Sequence, residues 1–308
     1  MGKATMEMRK LGSAGPEVSA VGFGAWAMGG RGWGAVDDDE TVAAVQRSIE
    51  LGSTFVDTAE VYGNGHSEEL IGRALQGRRD EVFLATKVGG FDLSRAHIME
   101  AIDNSLRRLR TDHVDLYQLH WPDDKTPVEE SMAAMDDLVK AGKVRYVGVS
   151  NFDVPLLERC LSVRHVDSLQ PVYSMLDRGI ERDILPFCRE HGIGTVVYSP
   201  MAKGLLTGKY SPDATFPAGD VRADDPLFQG ERFRRNLELV ERLRGIAQAH
   251  GVTVAQVALN WTLQHPAVTV AIAGAKRPAQ VEENVGGQGW QFSADELRQI
   301  QTWLDDLS

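Results

Sequence analysis

Eight times along this chain, a short run of β-branched and apolar residues gives way to a longer stretch whose apolar side chains recur three and four apart. The short runs fall at residues 20–24, 54–57, 82–86, 114–119, 144–149, 168–170, 195–198 and 268–272. They read as strands. Helical stretches follow them at 38–51, 67–75, 94–109, 128–141, 155–161 and 180–191, then at 232–250 with 254–264, and last at 278–285 with 294–307. In the first of these Val42, Val45 and Ile49 mark the helical period and Gly52 is the stop. Ahead of the series, residues 6–9 and 17–19, separated by Gly12 and Gly15-Pro16, are expected to pair as a small hairpin. Strand then helix, repeated with no linker and no shift in composition, calls for parallel strands joined by helical crossovers. The expected fold is therefore α/β: a (β/α)8 TIM barrel, one domain over residues 1–308, with an N-terminal β-hairpin. A doubly wound sheet is the rival. Its apparent support is Gly22-Phe-Gly24-Ala-Trp-Ala27, which follows a strand as G-x-G-x-x-A. That motif requires a helix to open at once and receive a pyrophosphate. Gly29, Gly30, Gly32 and Gly34 come directly after it and exclude such a helix.

In a barrel of this kind the reactive groups lie at the C-terminal ends of the strands. Here those ends read Asp57, Lys87, His120, Ser150-Asn151, Gln170 and Tyr198, so that six successive strands finish on a polar or ionisable residue. Tyr62 follows Asp57 in a loop broken by Gly63 and Gly65. A phenol, with a pKa of about 10, is a poor acid near neutrality. An ammonium at ~4 Å attracts the phenolate by about 4 kcal/mol at an effective dielectric near ~20. That attraction is worth up to about three pKa units. Lys87 is the candidate ammonium for Tyr62, and Asp57 the carboxylate that keeps Lys87 charged and in place. His120 is placed to hydrogen-bond a carbonyl oxygen beside the phenol. The set is a proton donor for carbonyl reduction, and it needs a hydride from elsewhere.

The formal charge of −11 argues against a nucleic-acid or anionic-membrane partner. Two cysteines, Cys160 and Cys188, are too few for a disulfide framework and read as small core residues. Met1–Met6 shows no apolar leader, and no run approaches the ~18 apolar residues of a membrane span. A cytoplasmic protein with a small-molecule partner and no metal is expected, its oligomeric state left open.

Asp57-Thr-Ala-x-x-Tyr62-Gly-x-Gly-x-Ser-Glu68, Thr86-Lys87, Leu119-His120-Trp121, Gly148-Val-Ser-Asn151 and Gln170-Pro171 stand in an order and spacing that resembles the aldo-keto reductase superfamily, in its prokaryotic-type branch. The resemblance extends over essentially the whole chain. It implies a (β/α)8 barrel, a nicotinamide cofactor held without a Rossmann domain, and the catalytic tetrad Asp57, Tyr62, Lys87 and His120. By the same resemblance Ser150, Asn151 and Gln170 bind the nicotinamide carboxamide and Tyr198 stacks on its ring. Ser199, Pro200, Met201, Ala202, Lys203, Gly204, Leu206 and Lys209 match the pyrophosphate loop. Gly274, Lys276 and Arg277, with Gln280, Glu283 and Asn284, match the clamp on the adenosine phosphate. Some branches of the family carry a lysine where Gly274 stands, so charge here comes from Lys276 and Arg277. Trp26 and Trp33, in the glycine-rich loop, are expected to line a substrate pocket with Trp121, and Trp26 to touch the cofactor as well.

The function expected from these readings is an NADP(H)-dependent oxidoreductase that converts aldehydes or ketones to alcohols, with NADPH/NADP as cofactor and NADH possible. The alternative is a non-catalytic, cofactor-binding regulatory relative of the channel β-subunit type. Turnover of a test aldehyde with NADPH separates the two.

Overall fold

The chain is described from a computed structural model over residues 5–307, apart from 31, 90 and 91. The beginning of the segment read for a leader, residues 1–4, lies outside the described residues.

Two short strands, β1 (Met8–Lys10) and β2 (Glu17–Ser19), pair antiparallel with Arg9 opposite Val18. Eight further strands follow: β3 (Val21–Gly24), β4 (Phe55–Asp57), β5 (Phe83–Val88), β6 (Val114–Leu119), β7 (Val144–Ser150), β8 (Ser168–Gln170), β9 (Gly194–Tyr198) and β10 (Val268–Gly274). They pair in sequence order, every pair parallel, and β10 returns to β3 to close a barrel. The crossovers carry α1 (Asp38–Glu50), α2 (His66–Ala74), α3 (Arg95–Leu109), α4 (Val128–Lys140), α5 (Val154–Leu161) and α6 (Ile184–Glu190). After β9 come α7 (Gly230–His250) and α8 (Val254–Gln264), and after β10 come α9 (Pro278–Val285) and α10 (Ala294–Asp305). Side-chain caps start many of these helices, and Thr253 and Ser293 open α8 and α10 with full capping boxes. No described helix is long and apolar enough to cross a membrane.

The period of two along each strand sorts its side chains between inside and outside. Val56, Leu84, Tyr117, Val147 and Leu169 point outward into the layer shared with the helices. Phe55, Ala85, Leu116, Val196 and Val270 point inward and pack with Leu11 and Val18 of the hairpin. The hairpin therefore plugs the N-terminal end of the barrel, where the Ser13 amide also donates to the Gly192 carbonyl at 2.8 Å. One inward step further along the strands the interior turns polar, with Asp57, Lys87, Gln118, Ser150 and Gln170 all buried. An apolar floor under a polar upper layer leaves the C-terminal mouth as the reactive end.

Several expected boundaries shift. Lys87 lies inside β5, Ser150 inside β7, and Gly274 closes β10. The stretch 180–191 divides into a 3-10 turn, Gly179–Glu181, and α6, because Asp183 breaks the helical path and caps the Ile184 amide. After Gly24 the chain forms only a 3-10 turn, Trp26–Gly29, so the G-x-G-x-x-A string opens no helix.

Candidate active site

A cleft of about 630 Å³ opens at the C-terminal mouth. β4 brings Asp57 to its floor and β5 brings Lys87 beneath it. Lys87 is fully buried, and its Nζ donates to Asp57 Oδ1 at 2.5 Å and to the Thr58 carbonyl at 2.8 Å. The same Nζ reaches the Tyr62 hydroxyl at 3.5 Å. His120 follows β6, with its ring edge-to-face on Tyr62 at 5.6 Å between centroids. The four residues expected to form a proton-donor set are thus in mutual reach.

Their electrostatics differ from the expectation in one respect. Burial pushes the Tyr62 phenol well above its ordinary value, and the nearby Asp57 carboxylate pushes in the same direction. Burial also lowers Lys87, against the pull of Asp57. Both directions have burial as the larger cause, since a less aqueous setting disfavours the charged form of phenol and ammonium alike. Tyr62 keeps its proton, which suits a donor. Burial, with Lys87 adding, drops His120 to about 3, so its imidazole is neutral near pH ~7. His120 Nδ1 has no partner among the described residues, and Asn151 Nδ2 donates to the His120 carbonyl at 3.1 Å.

The Tyr62 loop is held from two sides. A Cβ on Gly29 would lie 2.5 Å from the Gly63 nitrogen and 2.7 Å from the Tyr62 carbonyl carbon, so two backbones meet there with no room for a side chain. Behind the loop, the buried Glu68 accepts from Thr86 Oγ1 at 2.6 Å and from Arg108 Nε at 2.7 Å, which ties α2 to β5 and α3. Of the six described non-glycine residues with positive φ, five (Asn64, Asn151, Ser199, Ala202 and Lys203) lie on loops around this mouth. Strained backbone gathers at functional sites.

Asn151, Ser150 and Tyr198 form one chain of hydrogen bonds. The Tyr198 hydroxyl donates to Asn151 Oδ1 at 3.0 Å, Asn151 Nδ2 donates to Ser150 Oγ at 3.0 Å, and Ser150 Oγ donates to the Gln170 carbonyl at 2.8 Å. Gln170 turns its amide nitrogen inward, to Asp57 Oδ2 at 3.0 Å. From here the cleft runs past Ser199, Pro200, Met201, Lys203 and Gly204 to Lys209, Gly274, Lys276 and Arg277, with Gln280, Glu283 and Asn284 on its far wall. Ala202 and Leu206 do not line it. Their side chains are buried in the apolar layer against α7 and α8, so contact with a ligand there falls to backbone. Lys203 is paired with Asp225 at 2.5 Å. Lys276 Nζ donates to the Trp33 carbonyl at 2.6 Å, and Gln280 accepts from the Lys276 amide at 2.8 Å. Trp26, Trp33 and Trp121 all border the cleft, Trp26 edge-to-face with Trp33 and Trp121 half exposed.

Val61, Arg222 and Gln118 are among the lining or supporting residues to which the sequence motifs do not point. Val61 borders the cleft beside Tyr62. Arg222 comes from the loop after β9, held by Asp220 and Tyr210, with its guanidinium 5.4 Å from the Trp33 ring. Gln118 lies one inward position below the end of β6 and donates to Asp57 Oδ2 at 3.3 Å. The alternation of Leu116, Gln118 and His120 was the available signal for the last of these. No cluster of three or more side chains suited to a metal occurs among the described residues.

Comparison with known proteins is consistent along the chain. Residues 20–305 match the model of the aldo/keto reductase family. The aldo-keto reductase YhdN of Bacillus subtilis is 37% identical over 313 residues, covering 98% of this chain and 94% of that protein. A glycerol dehydrogenase structure from Gluconobacter oxydans superposes with a TM-score of 0.89 at 36% identity, covering 99% of this chain and 96% of that one. An aldo-keto reductase of Klebsiella pneumoniae, solved in complex with NADPH, gives a TM-score of 0.78 at 34% identity, covering 96% and 94%.

Proposed function

The chain belongs to the aldo/keto reductase family, and from that premise we propose that it reduces aldehydes or ketones to alcohols with NADPH, Tyr62 giving the proton. One observation carries the reading: a fully buried lysine bridges a carboxylate and the only phenol hydroxyl beside His120 among the described residues of the cleft floor. The cleft fits a long anionic cofactor. Around Asp57, Tyr62 and His120 its lining is rich in aromatic side chains, and it also carries the cations Lys209, Arg222, Lys276 and Arg277. NADPH bound there supplies the hydride. Ser150, Asn151 and Gln170 stand at the deep end to hold its carboxamide, Tyr198 to lie against its ring, and Lys276 and Arg277 to meet its adenosine phosphate.

The remaining steps belong to the protein's own groups. Trp26, Trp33 and Trp121 border the space for the substrate and reduce its contact with water. Neutral His120 donates a hydrogen bond to the carbonyl oxygen. As that oxygen gains charge, the Tyr62 hydroxyl donates its proton to it. Lys87, backed by Asp57, stabilises the phenolate that remains. Oxidation of the alcohol is the reverse and starts from that phenolate. NADH remains possible as a second cofactor, because Gly274 adds no charge at the far end.

The test is a panel of aldehydes, ketones and sugars assayed with NADPH and with NADH, alongside direct measurement of cofactor binding. Turnover with NADPH is expected. A folded protein that bound NADPH yet reduced nothing would favour the regulatory reading.

A further inference from the structure

Gln118 joins the two halves of the site. It is fully buried on β6, two residues before His120, and its Nε2 donates to Asp57 Oδ2 at 3.3 Å. Its Oε1 accepts from Gln170 Nε2 at 3.3 Å, and that nitrogen also donates to Asp57 Oδ2 at 3.0 Å. A primary amide nitrogen has two hydrogens to give. Both hydrogens of Gln170 are directed below the cleft, so Oε1 is the polar atom that Gln170 offers to the space it lines. A bond to Asp57 alone would leave the amide free to swing about a single contact. The second bond, to Gln118, fixes its plane. The neighbouring strand is built around this arrangement: a Cβ on Gly148 would stand 3.0 Å from Gln118 Cγ and 2.4 Å from Ser168 Oγ.

We propose that Gln118 is a positioning residue which, with Asp57, locks the Gln170 amide so that only a hydrogen-bond acceptor faces the cleft, selecting a cofactor that presents a donor there. The inference rests on the NADPH reading above. The donor is the carboxamide NH2 of the nicotinamide. An analogue with an acetyl group in place of the carboxamide has no such donor and leaves Oε1 unpaired.

Dissociation constants for NADPH and for its 3-acetylpyridine analogue test this, in wild type, Gln118→Met and Gln118→Glu. Wild type should favour NADPH by about fivefold or more, the worth of one net hydrogen bond, and should do so at every pH. Gln118→Met keeps the shape but neither bond, and should bring the ratio close to one. Gln118→Glu places a second carboxyl beside Asp57, where the two share a proton. An oxygen of that carboxyl accepts from Gln170 Nε2 in either protonation state, so the bond that fixes the amide plane is kept and the ratio should stay near the wild-type value. A side chain that merely fills space predicts the wild-type ratio in Gln118→Met as well. An unchanged ratio in Gln118→Met overturns the proposal. If that variant does not fold, a Gln118→Glu ratio close to one overturns it instead, as does a wild type with no preference between the two cofactors. A wild type that binds neither cofactor overturns the oxidoreductase reading itself.

Discussion

Tyr62 and His120 illustrate how burial sets chemistry at single residues. The phenol is held in its protonated form by its surroundings, and Lys87 acts on the charge that appears once the proton leaves. Tyr62→Phe removes only the hydroxyl. Carbonyl reduction should then fall by at least ~10²-fold, the lower end of general acid catalysis, while NADPH binding is retained. Steady-state rates with a fluorescence titration of NADPH decide it, and a variant keeping more than about a tenth of the activity would remove Tyr62 from the role. His120 has a consequence for stability. Its pKa is about 3 in the fold against an ordinary 6.5, so the unfolded chain takes up a proton that the folded chain refuses. Stability is therefore lost as pH falls from 6.5 toward 3, by about 1.4 kcal/mol per unit from this residue. His120→Gln should abolish that part. Urea unfolding at about pH 7 and about pH 5 should show wild type losing about 2 kcal/mol more than the variant between the two. Other titrating groups are common to both proteins and cancel. Equal losses would place the imidazole in a more aqueous setting than its position beside Tyr62 and Lys87 implies.

At the level of elements, function depends on how closely loops approach one another. The turn after β3 and the loop after β4 meet backbone to backbone at Gly29 and Gly63, and Tyr62 is carried on that contact. Gly29→Ala should push the Tyr62 loop outward. A shift on the order of 1 Å at a reacting group can cost ~100-fold in rate. We expect kcat to fall by about tenfold or more while NADPH affinity, fixed at the other end of the cleft, changes little. An unchanged kcat in the folded variant would mean that the loop absorbs the methyl group without moving Tyr62. These contacts also mark the limit of what could be read from sequence. Strand ends were legible because a polar residue that closes an apolar run has few structural reasons to be there, and Asp57, His120 and Gln170 stood out accordingly. Lys87 was found but placed beyond its strand, since an ammonium inside a barrel is readable only when its partners are known. Gln118 was passed over because a glutamine within a strand gives no hint of which neighbours it bridges. Position in a motif says nothing of side-chain direction, and packing against α7 and α8 turns Ala202 and Leu206 into the core. Arg222 was out of reach, because its place depends on a long loop folding back so that the Val221 amide donates to the Gly32 carbonyl at 3.0 Å.

Across the whole molecule, charge is distributed against its own average. The chain carries a net charge of −11, yet the far end of the cleft gathers Lys209, Arg222, Lys276 and Arg277. An acidic protein that binds an anionic cofactor has to concentrate cations locally, and the question is which of these four remain free to do so. Arg222 is committed to Asp220 through Nε at 2.7 Å. Lys276 gives its Nζ to the Trp33 carbonyl at 2.6 Å, and burial followed by the Arg222 charge lowers its pKa. Arg277 is exposed, and its guanidinium has no hydrogen-bond partner among the described residues. The two neighbouring cations should therefore behave differently when removed. Arg277→Ala deletes a charge that holds nothing else in place. NADPH carries a 2′-phosphate that NADH lacks, and a charge-assisted hydrogen bond to it is worth roughly 1.5–3 kcal/mol. This variant should weaken NADPH by about tenfold or more and leave NADH nearly untouched. Lys276→Ala also releases the Trp33 loop from the end of β10, so it should weaken both cofactors and add to the loss for NADPH. Calorimetric titration of both cofactors against both single variants separates the two effects. Should Arg277→Ala lower the affinity for NADH as much as for NADPH, Arg277 would be shaping the loop rather than reading the phosphate, and the preference would have to come from Lys209 and Arg222.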